Sequence, residues 1–306
     1  CLIQNYQKLD KNFQYMGYLN GYYGLLKGKS MKFNFKSNDE LDNLKKFGGS
    51  ILGNSRVKLT NVEDCVKNNY IKKNQKPIEV AAQQLMRDQI NILHTIGGDD
   101  TNSTAADLVL YLESKGHDLT VVGLPKTIDN DVFPILKTLG ADTAAEQGAI
   151  FFENIVNENT TSRRQLIIHE IMGRNCGWLT AATAKYYRDR MNKKTFYNSN
   201  GLYKKCWDIH AIYIPEMNIE IKEESNRLKN IMDKYDCVNI FLSEGAGIEN
   251  IVKELELSGE PINRDAFGHL RLDEINPGKW YAEKISNWTN AKKILVQKSG
   301  YFCRSS

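Results

Sequence analysis

Four polar residues at close spacing follow a hydrophobic run, and together they supply one ammonium, one hydroxyl and two carboxylates. They are Lys126, Thr127, Asp129 and Asp131. The run Leu119–Leu124 is typical of a parallel strand buried on both faces, and Pro125 must end its ladder of hydrogen bonds. Because ligands bind in the crevice at the carboxyl ends of parallel strands, these groups indicate phosphate, metal and proton-transfer chemistry. A solvated turn with local Asn and Asp hydrogen bonds is the alternative interpretation.

The element before this run has a similar design. A second apolar run, Ile90–Ile96, is followed by a glycine turn and then by a helical pattern from Ala105 to Leu112. With the strand before Pro125, these elements make one βαβ unit of the expected length. We therefore expect both strands to deliver their polar loops to the same edge of one sheet.

The glycine turn places two carboxylates directly after two glycines, in the order Gly97-Gly98-Asp99-Asp100. The glycines let the backbone approach a ligand, and the start of a helix offers N–H groups to an anion. Two adjacent carboxylates would repel a phosphate unless a divalent cation lies between them. Magnesium, held by one or two carboxylates together with substrate phosphates, suits this arrangement.

The motifs GGDD and PKTIDND resemble those of the phosphofructokinases, and more narrowly of their pyrophosphate-dependent branch. Further motifs of this family follow in the same order, namely Met172-Gly173-Arg174, Glu244-Gly245, Gly268-His269 and Tyr301-Phe302-Cys303-Arg304. The resemblance extends from about Gly17 to the last residue. It implies an α/β protein of two Rossmann-like domains with largely parallel sheets. The implied reaction moves a phosphoryl group onto the 1-hydroxyl of fructose 6-phosphate.

The resemblance also implies a role for each candidate residue. Asp129 would be the base that accepts the proton of the sugar hydroxyl, and the other catalytic residues would be Lys126 and Asp100. The residues that would bind fructose 6-phosphate are Thr127, Asp129, Met172, Gly173, Arg174, Glu244, Tyr301 and Arg304. The donor would be bound by Gly97, Gly98 and Arg56, and magnesium by Asp99.

Two residues determine which donor the resemblance implies. The ATP-using branch has small glycines where this chain has Asp100 and Lys126. The aspartate places charge and bulk where the α-phosphate of a nucleotide would lie, and the lysine adds a cation that stabilises pyrophosphate in the transition state. Pyrophosphate is therefore the predicted donor. An ATP-dependent enzyme and a non-catalytic regulatory subunit that binds sugar phosphates are the alternatives, although the presence of Asp99 and Asp129 argues against the second.

Composition excludes several other classes of protein. The net charge of +4 arises from 41 basic and 37 acidic residues that are well interspersed, so no nucleic-acid partner is indicated. No run of about eighteen apolar residues occurs, so no membrane association is predicted. Six scattered cysteines without a C-x-x-C pair indicate reduced thiols and a cytoplasmic protein. No G-x-G-x-x-G follows a predicted strand, which excludes a nicotinamide-binding Rossmann protein.

The predicted domains are residues 1–140, which bind the donor and are completed by 270–306, and residues 141–269, which bind the sugar phosphate. The family begins with a strand and a glycine-proline-rich donor loop that this sequence lacks, so we expect a fragment without either terminus that is inactive alone. The resemblance implies a homo-oligomer, either a dimer or a tetramer. Arg164 is a candidate for the arginine that the family extends into a neighbouring subunit.

Overall fold

The computed structural model describes residues 2–10, 12–35, 37–264 and 270–304, apart from the side chain of residue 38. The chain divides into two compact units, Cys1–Lys126 (unit 1) and Thr127–Ser306 (unit 2). Each unit has its own hydrophobic core within the described ranges. No helix of the described residues is long and apolar enough to cross a membrane.

Unit 1 is a mixed α/β unit. Its helices are α1 (Leu2–Leu9), α2 (Tyr22–Lys27), α3 (Asn38–Leu44), α4 (Val62–Lys67), α5 (Pro77–Arg87) and α6 (Asp99–Ser114). Its strands are β1 (Tyr15–Tyr18), β2 (Ser30–Phe33), β3 (Ile92–Gly97) and β4 (Thr120–Pro125). Strands β1 and β2 pair antiparallel, whereas β3 and β4 pair parallel. The core of the unit joins α2, α5 and α6 through buried leucines such as Leu25, Leu85 and Leu108.

The predicted βαβ unit is present as β3, α6 and β4. Gly97 lies opposite Pro125 in the parallel register, so both strands end at the same edge of their sheet. Helix α6 begins at Asp99, earlier than the apolar pattern from Ala105 indicates, because Gly98 has an extended conformation and acts as its N-cap. Asp99 and Asp100 therefore lie in the first helical turn, where carboxylates are favoured by the helix dipole.

The prediction that the strand before Pro125 is buried on both faces is wrong. Residues of β4 are half-buried or exposed, and Ile96 at the end of β3 is 52% exposed. In the described part of the chain β4 pairs only with β3, and α6 packs against both strands. A two-stranded sheet of this kind leaves apolar side chains partly open, and the apolar run alone does not reveal this.

Unit 2 contains one parallel sheet with helices on both faces. Its helices are α7 (Ala141–Ile155), α8 (Trp178–Met191), α9 (Lys204–Trp207), α10 (Ile221–Tyr235), α11 (Ile248–Leu257), α12 (Leu272–Ile275), α13 (Pro277–Thr289) and α14 (Gly300–Arg304), with 3-10 turns at Val156–Thr160 and Asn198–Asn200. Its strands are β5 (Gln165–Ile171), β6 (Ala211–Tyr213), β7 (Cys237–Ser243) and β8 (Lys293–Lys298), in the order β6-β7-β5-β8. The predicted α/β class with largely parallel sheets is confirmed.

The two central strands of unit 2 are buried along their whole length. Alternate residues of β5 enter two different clusters, because successive side chains of a strand point to opposite faces. Leu166 and Ile168 pack with α10 and α13, whereas Ile167 and Ile171 pack with α7 and α8. The loops after β5 and β7 therefore leave strands that are buried on both faces.

The division of the chain differs from the predicted domain boundaries. The predicted boundary lies near residue 140, whereas unit 1 ends at Lys126 and unit 2 begins at Thr127. Residues 270–306 were expected to complete the first domain, but β8 pairs along its length with β5 and α13 packs on the same sheet. The reason is hydrogen-bonded pairing between strands distant in sequence, which composition does not indicate.

Candidate active site

Most candidate donor residues of unit 1 lie at the carboxyl ends of β3 and β4, namely Gly97, Gly98, Asp99, Asp100 and Lys126. The N–H of Lys126 donates to the carbonyl oxygen of Gly97 over 2.7 Å, so the lysine leaves the sheet beside the glycine turn. The side-chain amide of Asn102 donates to the carbonyl oxygens of Gly97 (3.0 Å) and Gly98 (2.9 Å) and fixes the turn to α6. A Cβ atom on Gly97 would lie 2.4 Å from Oγ1 of Thr101, so this position requires glycine.

The two carboxylates at the start of α6 have different surroundings. Asp100 pairs with Lys58 over 2.8 Å between Nζ and Oδ1. In the part of the chain that the structure describes, no side chain bonds to the Asp99 carboxylate, which is exposed. No group of three or more His, Cys, Asp or Glu side chains that could hold a metal occurs among the described residues. Asp99 nevertheless fits Mg²⁺, which needs only one or two protein carboxylates when phosphates supply the remaining ligands.

Arg56 is exposed and lies in an irregular segment of unit 1, two residues before Lys58. The sequence motifs indicate Arg56 but do not indicate Lys58. The available signal was the alternation of Arg56 and Lys58 with apolar Val57 and Leu59, which is typical of an extended segment with one buried face. Val57 and Leu59 are indeed 7% and 1% exposed.

In unit 2 the predicted base, Asp129, lies in a short loop that is held by threonines. Its N–H donates to Oγ1 of Thr127 over 3.1 Å, and the hydroxyl of buried Thr138 donates to the carbonyl oxygen of Thr127 over 2.6 Å. Burial raises the pKa of Asp129, and the nearby Asp131 carboxylate raises it further. Arg304 and Arg174 act in the opposite direction and lower this pKa. The structure thus brings the predicted base close to two of the predicted sugar-phosphate residues.

The loops after β5 and β7 lock together around Gly173, whose φ of +138° few other residues adopt. The hydroxyl of Ser243 donates to the carbonyl oxygen of Gly173 over 2.6 Å, and the N–H of Gly245 donates to the same oxygen over 3.2 Å. The N–H of Gly173 donates to Oε1 of Glu244 over 3.4 Å. The predicted residues Gly173 and Glu244 are therefore in direct contact.

Glu244 and Asp129 are two partly buried carboxyls close enough to affect each other. Burial raises the pKa of Glu244, and Asp129 and Glu170 raise it further, while the Gly173 N–H and Arg174 lower it. Arg174 therefore lies near both carboxyls. Its buried Nε has no hydrogen-bond partner among the described residues. A buried guanidinium donor without a partner fits an anionic ligand such as a phosphate.

Helix α14 holds the remaining predicted residues, Tyr301 and Arg304. The guanidinium of Arg304 lies over the Tyr301 ring, 5.6 Å from its centroid, and both side chains are exposed. The side chain of Met172 packs beside Gly300, where a Cβ atom would lie 2.9 Å from its Cγ. Met172, which directly follows β5, therefore contacts the start of α14.

Strand β5 carries two supporting residues that the sequence motifs do not indicate, His169 and Glu170. Nε2 of His169 bonds to the Ser299 hydroxyl over 2.7 Å just before α14, and burial lowers the pKa of His169 to about 3, so its imidazole is neutral. Glu170 accepts a hydrogen bond from the N–H of Gly278 over 2.9 Å and pairs with Lys298 over 2.9 Å. These bonds attach α14 and α13 to the strand that precedes Arg174.

Two further predictions from the sequence concern the Gly268-His269 motif and Arg164. Gly268 and His269 lie outside the described residues. Arg164 is bound within its own unit, where its guanidinium donates to Asp233 over 2.9 Å and to the carbonyl oxygen of Asn290 over 2.9 Å. These contacts give Arg164 a local role in joining α10 to the turn before β8.

Gly245→Ala tests the geometry of these loops. A Cβ atom at this position would lie 1.7 Å from the carbonyl oxygen of Arg174, so the backbone that positions the guanidinium must move. We expect turnover to fall by about a hundredfold, since a displacement near 1 Å costs about that much. Steady-state kinetics, with exposed Gly48→Ala as the control because nothing lies within 4 Å of its added Cβ, would check this. A Gly245→Ala protein with wild-type turnover would contradict the described loop packing.

Comparison with known proteins identifies the family. The phosphofructokinase family model matches residues 5–275. A pyrophosphate–fructose 6-phosphate 1-phosphotransferase from Methylomonas methanica is 53% identical over 305 residues, covering 100% of this chain and 75% of that protein. One of the same name from Mastigamoeba balamuthi is 50% identical over 305 residues, covering 100% of this chain and 74% of that protein.

A likeness among solved structures agrees with the fold. A pyrophosphate-dependent phosphofructokinase from Marinobacter aquaeolei matches with a TM-score of 0.70 at 20% identity, over 99% of this chain and 64% of that one. At this identity the match concerns the fold alone. Since the family model matches most of the sequence, the chain belongs to the phosphofructokinase family.

Proposed function

We propose that the protein is an enzyme that transfers a phosphoryl group from pyrophosphate to the 1-hydroxyl of fructose 6-phosphate. The products are fructose 1,6-bisphosphate and phosphate, and the reaction is a reversible step of glycolysis. In the forward direction the sugar hydroxyl oxygen attacks the transferred phosphorus atom, the bond to the bridging oxygen breaks, and inorganic phosphate leaves. The names of the two relatives at 53% and 50% identity support this activity.

The observation on which the proposal depends most is the proximity of Asp129 to Arg174 and Arg304. A base with a raised pKa accepts the hydroxyl proton more readily than an ordinary carboxylate does. The transition state of phosphoryl transfer is loose and anionic, so positioning and neutralisation of charge provide most of the catalysis. Arg174 and Arg304, together with Tyr301 and Met172, would bind the sugar phosphate. Glu244, an acceptor-only group when ionised, would hold sugar hydroxyls, and Thr127 would position the attacking hydroxyl.

On the donor side, Gly97 and Gly98 would let the backbone approach pyrophosphate at the start of α6, and Arg56 and Lys126 would contact its oxygens. Asp99 would hold magnesium on the donor, and the bound ion would neutralise charge on the phosphates. Asp100 would exclude the α-phosphate of a nucleotide. Asp100 and Lys126 thus favour pyrophosphate over ATP. ATP would be the donor under the main alternative hypothesis, an ATP-dependent enzyme.

The remaining assignments are also proposals. A homo-oligomer, dimeric or tetrameric, is the expected assembly, and the scattered thiols fit a cytoplasmic enzyme. A non-catalytic regulatory subunit is the second alternative. Both Asp99 and Asp129 are present, and Asp129 has the raised pKa that suits a base, so an enzyme is the better reading.

Product identification tests the proposal. The full-length protein is incubated with fructose 6-phosphate, pyrophosphate and Mg²⁺, and the products are followed by phosphorus NMR. We expect one phosphate and one fructose 1,6-bisphosphate for each pyrophosphate consumed. Sugar-phosphate binding without turnover, with either pyrophosphate or ATP, would instead identify a regulatory subunit.

The pH dependence of activity provides a second test, through Asp131. Asp129 must be ionised to act as a base, so kcat/KM should fall as the pH decreases through its raised pKa. Because the Asp131 carboxylate raises that pKa, Asp131→Asn should shift the acid limb of the profile to lower pH while the enzyme remains active. An acid limb that does not move would show that another group controls the profile.

A further inference from the structure

A lysine outside the predicted site bonds directly to one of its catalytic residues. Nζ of Lys58 lies 2.8 Å from Oδ1 of Asp100, and the two side chains are 27% and 64% exposed. Both residues belong to unit 1. An exposed ion pair of this kind contributes little to folding stability, because solvent screens it and the side chains lose freedom. A larger effect of this ion pair must therefore arise in the donor site that contains Asp100.

The backbone around Lys58 is fixed on the core of unit 1. Its neighbours Val57 and Leu59 are buried, and both belong to the hydrophobic cluster that also includes Leu108 of α6. The carbonyl oxygen of Lys58 accepts hydrogen bonds from the N–H of Asn61 over 3.2 Å and from Sγ of Cys65 over 3.5 Å. The ammonium and the start of α6 are thus attached to one rigid core.

The charges at the start of α6 show why such a lysine is needed. Asp99 and Asp100 are adjacent in the first turn, and pyrophosphate is itself strongly anionic. One divalent cation at Asp99 would leave the charge of Asp100 to repel the donor. The Lys58 ammonium offsets that charge and fixes the carboxylate, so the bulk of Asp100 remains in place as a barrier to a nucleotide. When a bound donor excludes water, the attraction between these charges becomes stronger than in the open site.

We propose that Lys58 is a positioning and specificity residue of the donor site. It holds the Asp100 carboxylate in place and reduces the repulsion between that carboxylate and pyrophosphate. The inference rests on the proposed function. It assigns Asp99 to the metal and Asp100 to Lys58, so two adjacent carboxylates have separate tasks. Lys58 acts through Asp100, and this coupling distinguishes it from a residue that merely contacts the donor.

The test is a double-mutant cycle on the full-length protein with the variants Lys58→Met, Asp100→Asn and the two combined. Lys58→Met keeps most of the side-chain stem and removes the charge. We expect it to raise the KM for pyrophosphate by about tenfold to a hundredfold, the usual cost of losing a charged hydrogen bond, with a far smaller change in kcat. In the Asp100→Asn background the same change should cost much less, because no uncompensated carboxylate remains.

Two controls separate this role from a structural one. Lys58→Arg should restore most of the pyrophosphate affinity, since a guanidinium can also pair with the carboxylate. Lys73→Met removes another exposed lysine of unit 1 and should leave KM unchanged. Equal losses from Lys58→Met in both backgrounds, or a loss accompanied by a lower unfolding temperature, would overturn the proposal.

Equilibrium binding keeps this test independent of the proposed reaction. Calorimetric titration with magnesium pyrophosphate measures the same coupling without turnover. If the wild-type protein binds pyrophosphate and the coupling is absent, the role of Lys58 is wrong and the proposed function stands. If the wild-type protein does not bind pyrophosphate at all, the donor assignment itself is wrong.

Discussion

Asp129→Asn is expected to lower turnover by about two to four powers of ten, because it removes the group that accepts the sugar hydroxyl proton. The amide keeps the shape of the side chain, so the affinity for fructose 6-phosphate should change far less. Steady-state kinetics with both substrates varied would separate the two effects. The surface substitution Asp189→Asn on α8 is the matched control, since Asp189 is exposed and is not one of the candidate site residues.

The same substitution should stabilise the folded protein at neutral pH. Burial raises the pKa of Asp129, so the folded state binds this proton more tightly than the unfolded state does. The stability from this group is therefore fully present below its unfolded pKa and is lost as the pH rises through the folded pKa. Asparagine avoids that loss, so the unfolding temperature at pH 7 should rise.

For the catalytic role, a turnover of the Asp129→Asn protein within about tenfold of wild type would show that Asp129 is not the base.

Exchange of the donor is the second large effect that we expect, and it arises from Asp100 and Lys126. Asp100→Gly should remove bulk and charge and let ATP enter, while turnover with pyrophosphate falls. Lys126→Gly should lower pyrophosphate turnover by about two to three powers of ten, as loss of one transition-state donor usually does, without opening space for a nucleotide. Both variants should be assayed with each donor at saturating fructose 6-phosphate.

The double variant refines this prediction. The two side chains are expected to meet the same phosphate, so their effects on pyrophosphate turnover should not simply add. Gain of ATP activity in Lys126→Gly alone, or its absence in Asp100→Gly, would contradict the proposed division between a barrier and a cation. Exposed Gly48→Ala serves as the unrelated control.

The strands that hold the site were predictable because their apolar runs end abruptly. The ends of β3 and β4 follow from the glycine pair and from Pro125, each of which interrupts a run. The burial of β4 was not predictable, since an apolar run does not reveal how many strands pair with it. The position of β8 beside β5 was missed for a related reason, because it depends on hydrogen bonds between residues more than one hundred positions apart.

The predicted site residues followed from motifs, whereas their supports required coordinates. Short sequence motifs indicate Asp129, Arg174 and Arg304, and the structure brings their charges together in unit 2. Lys58 and His169 each bond to a partner that is distant in sequence, Asp100 and Ser299 respectively. No motif indicates such pairs, because each depends on how two segments pack on a common core.

The central claim is tested most directly by the ratio of kcat/KM for pyrophosphate to that for ATP. This ratio is measured on the full-length wild-type protein with fructose 6-phosphate and Mg²⁺. The proposed function depends on Asp100 as a barrier to nucleotides and on Lys126 as a cation for pyrophosphate. We therefore expect rapid turnover with pyrophosphate and almost none with ATP. A protein that prefers ATP, with Asp100 and Lys126 intact, would contradict this account and identify an ATP-dependent enzyme.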